Sequence, residues 1–206
     1  MAKEVMVVKR DILFEDSDFQ GLISIEKRDY LQIILDNYEY VLRDDKLEAN
    51  TELKQIIPYV VIINPKTKKV FGYKRFKKMP GLHEMRLHDR FSIGLGGHID
   101  REEEKVDVIS DAAMRELAEE VRMVIYPRPK VVGFVNDELD SVGSVHFGVV
   151  AIAETEEEVT KTEGDEVRDE KFYSIEEVDD LFSKGVEMDG WTRICWPFIK
   201  KHLLTL

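Results

Sequence analysis

The run Ile56-Ile57-Pro58-Tyr59-Val60-Val61-Ile62-Ile63 constrains the fold more than any other stretch of the chain. It is apolar, mostly β-branched and free of charge, which marks a buried strand. Pro58 has no amide hydrogen to donate, so the run is expected to begin at a sheet edge. Asn64-Pro65-Lys66-Thr67 supplies turn chemistry, and Val70–Arg75 returns as the partner strand of a hairpin.

Elsewhere strands and helices alternate. Val5–Phe14 reads as a strand, followed by a short one near Leu22-Ile23. Arg28–Leu42 carries apolar residues at Leu31, Ile34, Leu35, Tyr38 and Val41-Leu42, a helical spacing. Lys77–Arg90, with Pro80-Gly81, is a loop, and Phe91–Ile99 is a strand broken at its end by Gly94, Gly96 and Gly97. Asp107–Met123 is helical. Lys130–Asn136 and Val145–Ala153 are strands separated by the turn-rich segment Asp137–Gly143, and Asp169–Tyr173 is a last strand. Ser174–Ser183 and Trp191–Leu203 close the chain as helices, the first opening on a Ser174–Glu177 capping box. Such alternation predicts an α/β protein with a mixed sheet between helical layers. Residues 1–55 are expected to form an extension packed on a main domain of residues 56–206, because no Gly/Ser/Pro linker divides them.

Charge narrows the partners. The 206 residues carry a formal net charge of −12, and a phosphate-contacting surface for nucleic acid needs clustered Lys and Arg instead. No nucleic-acid partner is expected. Nor is a membrane partner, since no apolar stretch reaches spanning length and the opening run Val5–Val8 is too short for a signal peptide. The single cysteine, Cys195, cannot form an intrachain disulfide, which fits a cytoplasmic protein. It lies in the apolar run Ile194-Cys195-Trp196 and reads as a core thiol.

The chemistry concentrates between Gly96-Gly97-His98-Ile99 and Arg115-Glu116-Leu117-Ala118-Glu119-Glu120. On a helix, Glu116, Glu119 and Glu120 project from one side, while Ile109, Ala113, Leu117 and Val121 step by four along an apolar stripe. Like charges so placed cost roughly 0.2–0.5 kcal/mol per pair. A hard divalent cation reverses that sign, because Mg²⁺ prefers oxygen ligands. Paired glycines let a backbone carbonyl, that of Gly96, approach such a cation. The cation would screen a diphosphate and polarise the attacked phosphorus, while a carboxylate deprotonates a water. Against this stands the ordinary reading of an acidic helix face as a solvated one.

This segment resembles the box of the Nudix (MutT-like) hydrolases, Gly-x5-Glu-x7-Arg-Glu-aliphatic-x-Glu-Glu-x-Gly-aliphatic. Gly97 matches the opening glycine, Arg115, Glu116, Leu117, Glu119 and Glu120 match the second half, and Ala112-Ala113 suits the usual helix start. The resemblance implies a Nudix-type α/β/α sandwich over residues 56–206. It implies a hydrolase that uses Mg²⁺ or Mn²⁺ to cleave a diphosphate linkage in a small nucleoside diphosphate derivative. Glu116, Glu119 and Glu120 would bind metal or act as base, and Arg115 would orient them. The sequence departs from the box twice. The stretch from Gly97 to Arg115 is four residues longer, and Arg122 replaces the glycine after the acid pair. Since a loop absorbs insertions cheaply, the extra residues are expected before the helix. That makes Asp107, rather than Glu103, the acid facing Arg115, unless Asp107 is only an N-cap.

Further candidates surround this core. Lys74, Arg75, Lys77, Lys78, Arg86 and Arg90 gather positive charge before the glycine turn, and of these Arg75, Lys78 and Arg90 are the expected phosphate contacts. Glu138 is a candidate further acid, with Glu154 and Glu156–Glu158 as weaker competitors. Among His83, His88 and His98, His98 stands beside the glycine pair, where a structural hydrogen bond is expected. Tyr73, Phe76, Phe134 and Trp191 are able to stack on a base, though each alone reads better as core. Two rival functions share the fold. One is a nucleotide-sensing module without turnover. The other is isopentenyl diphosphate isomerisation, for which Cys195 is poorly placed. A homodimer is compatible with either reading.

Overall fold

A strand of twelve residues, β4 (Leu53–Asn64), organises the protein. The computed structural model describes residues 3–15, 17–75, 90–101, 107–139, 141–161 and 167–206. In chain order they form β1 (Glu4–Lys9), α1 (Arg10–Phe14), β2 (Gly21–Ser24), α2 (Tyr30–Asn37), β3 (Glu39–Leu42), β4 and β5 (Lys69–Arg75). Then come β6 (Phe91–Ser92), β7 (Gly94–Gly96), α3 (Val108–Glu120), β8 (Val121–Arg122), β9 (Lys130–Asn136) and β10 (His146–Glu154). The chain closes with β11 (Thr160–Lys161), β12 (Val167–Tyr173), α4 (Ile175–Ser183) and α5 (Gly190–Thr205).

The main sheet runs β12-β5-β4-β10-β9-β2, with β1, β3, β6 and β7 attached to it. It is mixed. β4 and β10 pair in parallel from Gln55↔His146 to Ile63↔Glu154, and their other partners are antiparallel. β4 is therefore central, and the edge expected at the first residues of the run is confined to one flank around Pro58. One flank is occupied by β10. On the other, pairing passes from β1 at Leu53–Gln55 to β7 at Tyr59–Val61. Pro58 falls in that interval, which tolerates a residue without a donor.

Alternation along β4 divides the core between two helical layers. Tyr59, Val61 and Ile63 pack with Val178 of α4 and Cys195, Ile199 and Leu203 of α5. Val60 and Ile62 pack with Ala113 and Leu117 of α3. Ile56 joins Leu13 and Phe14 of α1, Tyr30 and Ile34 of α2, and Ala112 of α3. This is the expected α/β sandwich with a mixed sheet.

Local departures have local causes. The strand expected through Phe14 stops at Lys9, and one helical turn swings Leu13 and Phe14 into the core. There Phe14 meets Phe19, Tyr30 and Phe147 edge to face. The helix expected over Arg28–Leu42 opens on Asp29, whose side chain accepts from Gln32 N, and ends at Asn37. Its last apolar residues instead form β3, because β1 offers an open edge that they pair with from Glu4↔Leu42 to Val7↔Glu39. The strand over Phe91–Ile99 is divided into β6 and β7. Most of the expected Lys77–Arg90 loop lies outside the described residues.

Candidate active site

α3 is positioned at both ends. Asp107 caps it by accepting from Ser110 N, and Val121 leaves the helix in extended conformation to start β8. Its buried residues Ile109, Ala112, Ala113 and Leu117 fix the helix on the sheet. That packing turns Arg115, Glu116, Glu119 and Glu120 toward the exit of β7.

The glycine turn and the acids fit against each other closely. A Cβ on Gly97 would lie 2.5 Å from Glu116 Oε1, and one on Gly96 would lie 2.1 Å from the Pro58 carbonyl oxygen. Gly96, set against backbone, therefore requires glycine, and a side chain at Gly97 would displace the Glu116 carboxylate. Gly96 N donates to Glu120 Oε1 at 3.1 Å. Arg115 Nη2 donates to the His98 carbonyl at 2.8 Å, and its Nη1 reaches Glu116 Oε1 at 2.7 Å and Glu119 Oε2 at 3.0 Å. The arginine thus ties the turn to two of the three acids.

The three acids differ in surroundings. The Glu119 side chain is 60% exposed, whereas that of Glu116 is 9% exposed. Burial pushes the Glu116 carboxyl up to about 7, against the pull of Arg115 and reinforced by Glu120 and Glu119. Glu120 Oε2 receives the ammonium of Lys161 at 2.6 Å, and that lysine is buried over the ring of Tyr73. Nothing in the sequence pattern announced Lys161. It arrives from β11, which pairs with β8 directly after α3.

The other expected residues separate into groups. Asp107 serves as N-cap and pairs with Arg128 Nη2 at 2.8 Å, while Arg115 turns to Glu116, Glu119 and His98; the anticipated Asp107–Arg115 contact is replaced. α3 is continuous from Val108 to Glu120, so the longer spacing is accommodated before the helix; Glu103 lies outside the described residues. Glu138 joins Arg10 Nη1 at 2.9 Å and Lys54 Nζ at 2.6 Å. Burial pushes its carboxyl up, yet hydrogen bonds from those two cations hold it below its ordinary value. Arg90 stands 3.8 Å from Glu187 and Lys74 3.4 Å from Asp169. Lys77, Lys78, Arg86, His83, His88 and Phe76 lie outside the described residues, as does the side chain of Arg75. Phe134 and Tyr73 are buried core residues, and Trp191 packs edge-on against Tyr59. Among the weaker acids, Glu157 accepts from Val124 N and Ile125 N, a structural task.

His98 turns its ring away from these acids. Its Nε2 lies 2.8 Å from Gln55 Oε1 and 3.2 Å from His146 Nε2. Burial lowers His98 to about 2, with Arg43, His146 and Arg115 adding to the effect. Cys195 is fully buried, and burial raises its thiol well above the ordinary value. It is a core residue with no nucleophilic character.

Whether a divalent cation suits this site is decided by its donors. Among the described residues the three carboxylates Glu116, Glu119 and Glu120 pair directly with two cations, Arg115 and Lys161, a deficit of one positive charge, and Glu116 is buried. A hard, oxygen-seeking cation fits that deficit. A strand, a glycine turn and a helix carrying clustered acids, set in an α/β/α sandwich, are the parts of a site suited to a cation-dependent phosphoanhydride hydrolase.

The comparisons agree. The model of the NUDIX domain family matches residues 54–192, and the chain belongs to that family. It is a Nudix pyrophosphohydrolase, of a family that acts on small-molecule diphosphates and generally uses divalent metals. It is 34% identical over 160 residues to Protein YmaB of Bacillus subtilis (strain 168), spanning 73% of this chain and 75% of that protein. Among solved structures it resembles the Nudix hydrolase candidate Tm1382, with a TM-score of 0.76 and 24% identity, covering 97% of this chain and 100% of that one. A Nudix hydrolase from Alicyclobacillus acidocaldarius gives a TM-score of 0.51 at 14% identity, over 74% of this chain and 92% of that one. The same score and identity hold for a bifunctional NMN adenylyltransferase/ADP ribose pyrophosphatase from Francisella tularensis, complexed with AMP and a Mn ion. That match covers 73% of this chain and 42% of the other. No described helix is long and apolar enough to cross a membrane.

Proposed function

We propose that this enzyme hydrolyses the diphosphate linkage of a nucleoside diphosphate derivative, with Mg²⁺ or Mn²⁺ held by Glu116, Glu119, Glu120 and the Gly96 carbonyl. The carrying observation is the buried Glu116 carboxylate, wedged against Gly97 and grouped with Glu119 and Glu120 around Arg115 and Lys161. A bound divalent cation supplies charge screening and polarisation of the attacked phosphorus. Arg115 positions: it fixes Glu116 and Glu119 relative to the turn through the His98 carbonyl. Lys161 holds one oxygen of Glu120 while Gly96 N holds the other, so this carboxylate is oriented at both ends. One of the three acids accepts the proton of the attacking water. Arg75, Lys78 and Arg90 are the proposed phosphate contacts.

The Francisella protein's naming as an ADP ribose pyrophosphatase supplies the first compound to try. The experiment is a screen of nucleoside diphosphate derivatives with Mg²⁺ and with Mn²⁺, resolving products by mass. Cleavage between the phosphates is expected. Cation-dependent binding of these compounds without turnover of any of them would replace the hydrolase reading by that of a sensing module. The isomerase reading has no support in the buried Cys195 thiol.

A further inference from the structure

Behind the glycine turn, on the ring side of His98, a second polar cluster lies outside the hydrolytic site. It comprises Glu48, His98 and His146, whose ligand-capable atoms all lie within 4.8 Å of one another. They come from three separate elements. Glu48 belongs to the 3₁₀ turn Leu47–Ala49, His98 to the glycine turn, and His146 to the first position of β10. We propose that these three side chains form a second metal site, for Zn²⁺ or a comparable borderline transition-metal cation, which pins the N-terminal segment to the back of the glycine turn.

The tautomers follow from the partners. His146 Nδ1 lies 2.6 Å from the Val142 carbonyl, which only accepts, so Nδ1 carries the hydrogen and Nε2 presents its lone pair. A backbone carbonyl on the far ring nitrogen is the usual outer partner of a metal-bound histidine. His98 Nε2 faces that lone pair at 3.2 Å and Gln55 Oε1 at 2.8 Å, so in the metal-free chain its hydrogen is shared between two acceptors. Two nitrogens at about 2.0–2.1 Å from a tetrahedral Zn²⁺ stand roughly 3.3–3.4 Å apart. The observed separation needs little adjustment. Metal binding requires only that the His98 hydrogen move from Nε2 to Nδ1, with no net proton released.

Gln55 completes the surroundings: it is fully buried, with its Oε1 turned to His98 Nε2. When a metal takes that nitrogen, the amide oxygen loses its donor and is placed to approach the same cation. Glu48 meanwhile gives one oxygen to Arg43 Nε at 2.9 Å, leaving the other for a ligand role. Arg43 is the positive charge that balances Glu48 when no metal is bound. Two imidazoles and one carboxylate favour Zn²⁺ over Mg²⁺, which selects all-oxygen sites.

The test loads the chelator-treated full chain with Zn²⁺, and separately with Co²⁺, in a large excess of Mg²⁺ that occupies the acidic helix. One equivalent of Zn²⁺ should remain through gel filtration and raise the melting temperature, and Co²⁺ should give the strong visible absorption of a low-coordinate site. Folded His146→Ala and Glu48→Gln should each bind roughly tenfold or more weakly, whereas Glu119→Gln should bind as the parent does. Glu48→Gln, at a partly exposed position, decides the matter should His146→Ala not fold. No retained equivalent, or an equivalent lost in Glu119→Gln and kept in Glu48→Gln, would overturn the second site.

Discussion

Two clusters of partly buried charge in this protein each join acids to one arginine and one lysine, and they behave oppositely. Around Glu138, one carboxylate meets Arg10 and Lys54, and its pKa falls below the ordinary value. Around α3, three carboxylates meet Arg115 and Lys161, and Glu116 rises to about 7. The first cluster is closed on itself: Lys54 also donates to the Gly143 carbonyl and is fully buried. The second has a deficit of positive charge that an ion from solution is suited to fill. Acidic residues alone therefore distinguish neither kind of site; the local charge balance does.

The sharpest test of this contrast is removal of divalent cations. Chelation should abolish hydrolysis by the intact enzyme, with recovery on Mg²⁺ or Mn²⁺, and full turnover in excess chelator after dialysis would break the contrast outright. Next come Glu119→Gln and Glu120→Gln, which keep shape and remove charge. Each should lower kcat by roughly 10²–10⁴-fold, Glu119→Gln with stability retained and Glu120→Gln with a loss of stability as well, because the buried Lys161 loses a counter-charge. Glu138→Gln should do the reverse. It leaves the buried Lys54 without its counter-charge, so denaturant unfolding should show a loss of roughly 3–5 kcal/mol, while kcat of the folded fraction stays near the parental value.

Glu116→Gln sharpens the comparison through pH. Burial lets the folded protein hold the Glu116 proton up to about 7, well above a glutamate's ordinary 4.5. Between those values the folded state binds more protons than the unfolded one, so this carboxyl's contribution is fully present at low pH and is lost as pH rises through 7. In chelator, parent and variant should match near pH 4, below the unfolded value, and the variant should be the more stable by about 3 kcal/mol at pH 8. A pH-independent difference would mean that Glu116 is not desolvated. The smallest effect belongs to Asp107→Asn. Asparagine still caps α3, and only an exposed ion pair with Arg128 is lost, so stability should change by less than about 1 kcal/mol. Unchanged kcat is also expected, and a large fall would restore a role for Asp107 beside Arg115.

Helical spacing made the three acids and Arg115 legible from the residues, because α3 is a continuous helix with an apolar stripe at Ile109, Ala113 and Leu117. The glycine pair was legible as a break at the end of its strand. Contacts between distant segments were not. Lys161 reaches Glu120 only because β11 pairs with β8. Glu138 is neutralised by residues of β4 and α1, and no spacing rule connects them. The Arg28–Leu42 periodicity misled because β3 depends on the edge supplied by β1, a partner that local pattern cannot supply. Pro58 announced a gap in pairing but not its extent, which is set by where β1 gives way to β7.

The parallel pairing of β4 with β10 also sets a timetable for the chain. Gln55 and His146, partners in register, stand on opposite sides of every element from β5 to β9 in sequence. During synthesis the hairpin of β4 and β5, and the antiparallel set of β1, β3 and β4, have their partners close behind them. The centre of the sheet must wait for β10 to emerge, and such long-range pairing is slow because chain entropy is spent before contacts return it. Until then the unpaired flank of β4, with Val60, Val61, Ile62 and Ile63, is open to other chains, which makes this interval the period in which folding competes with aggregation.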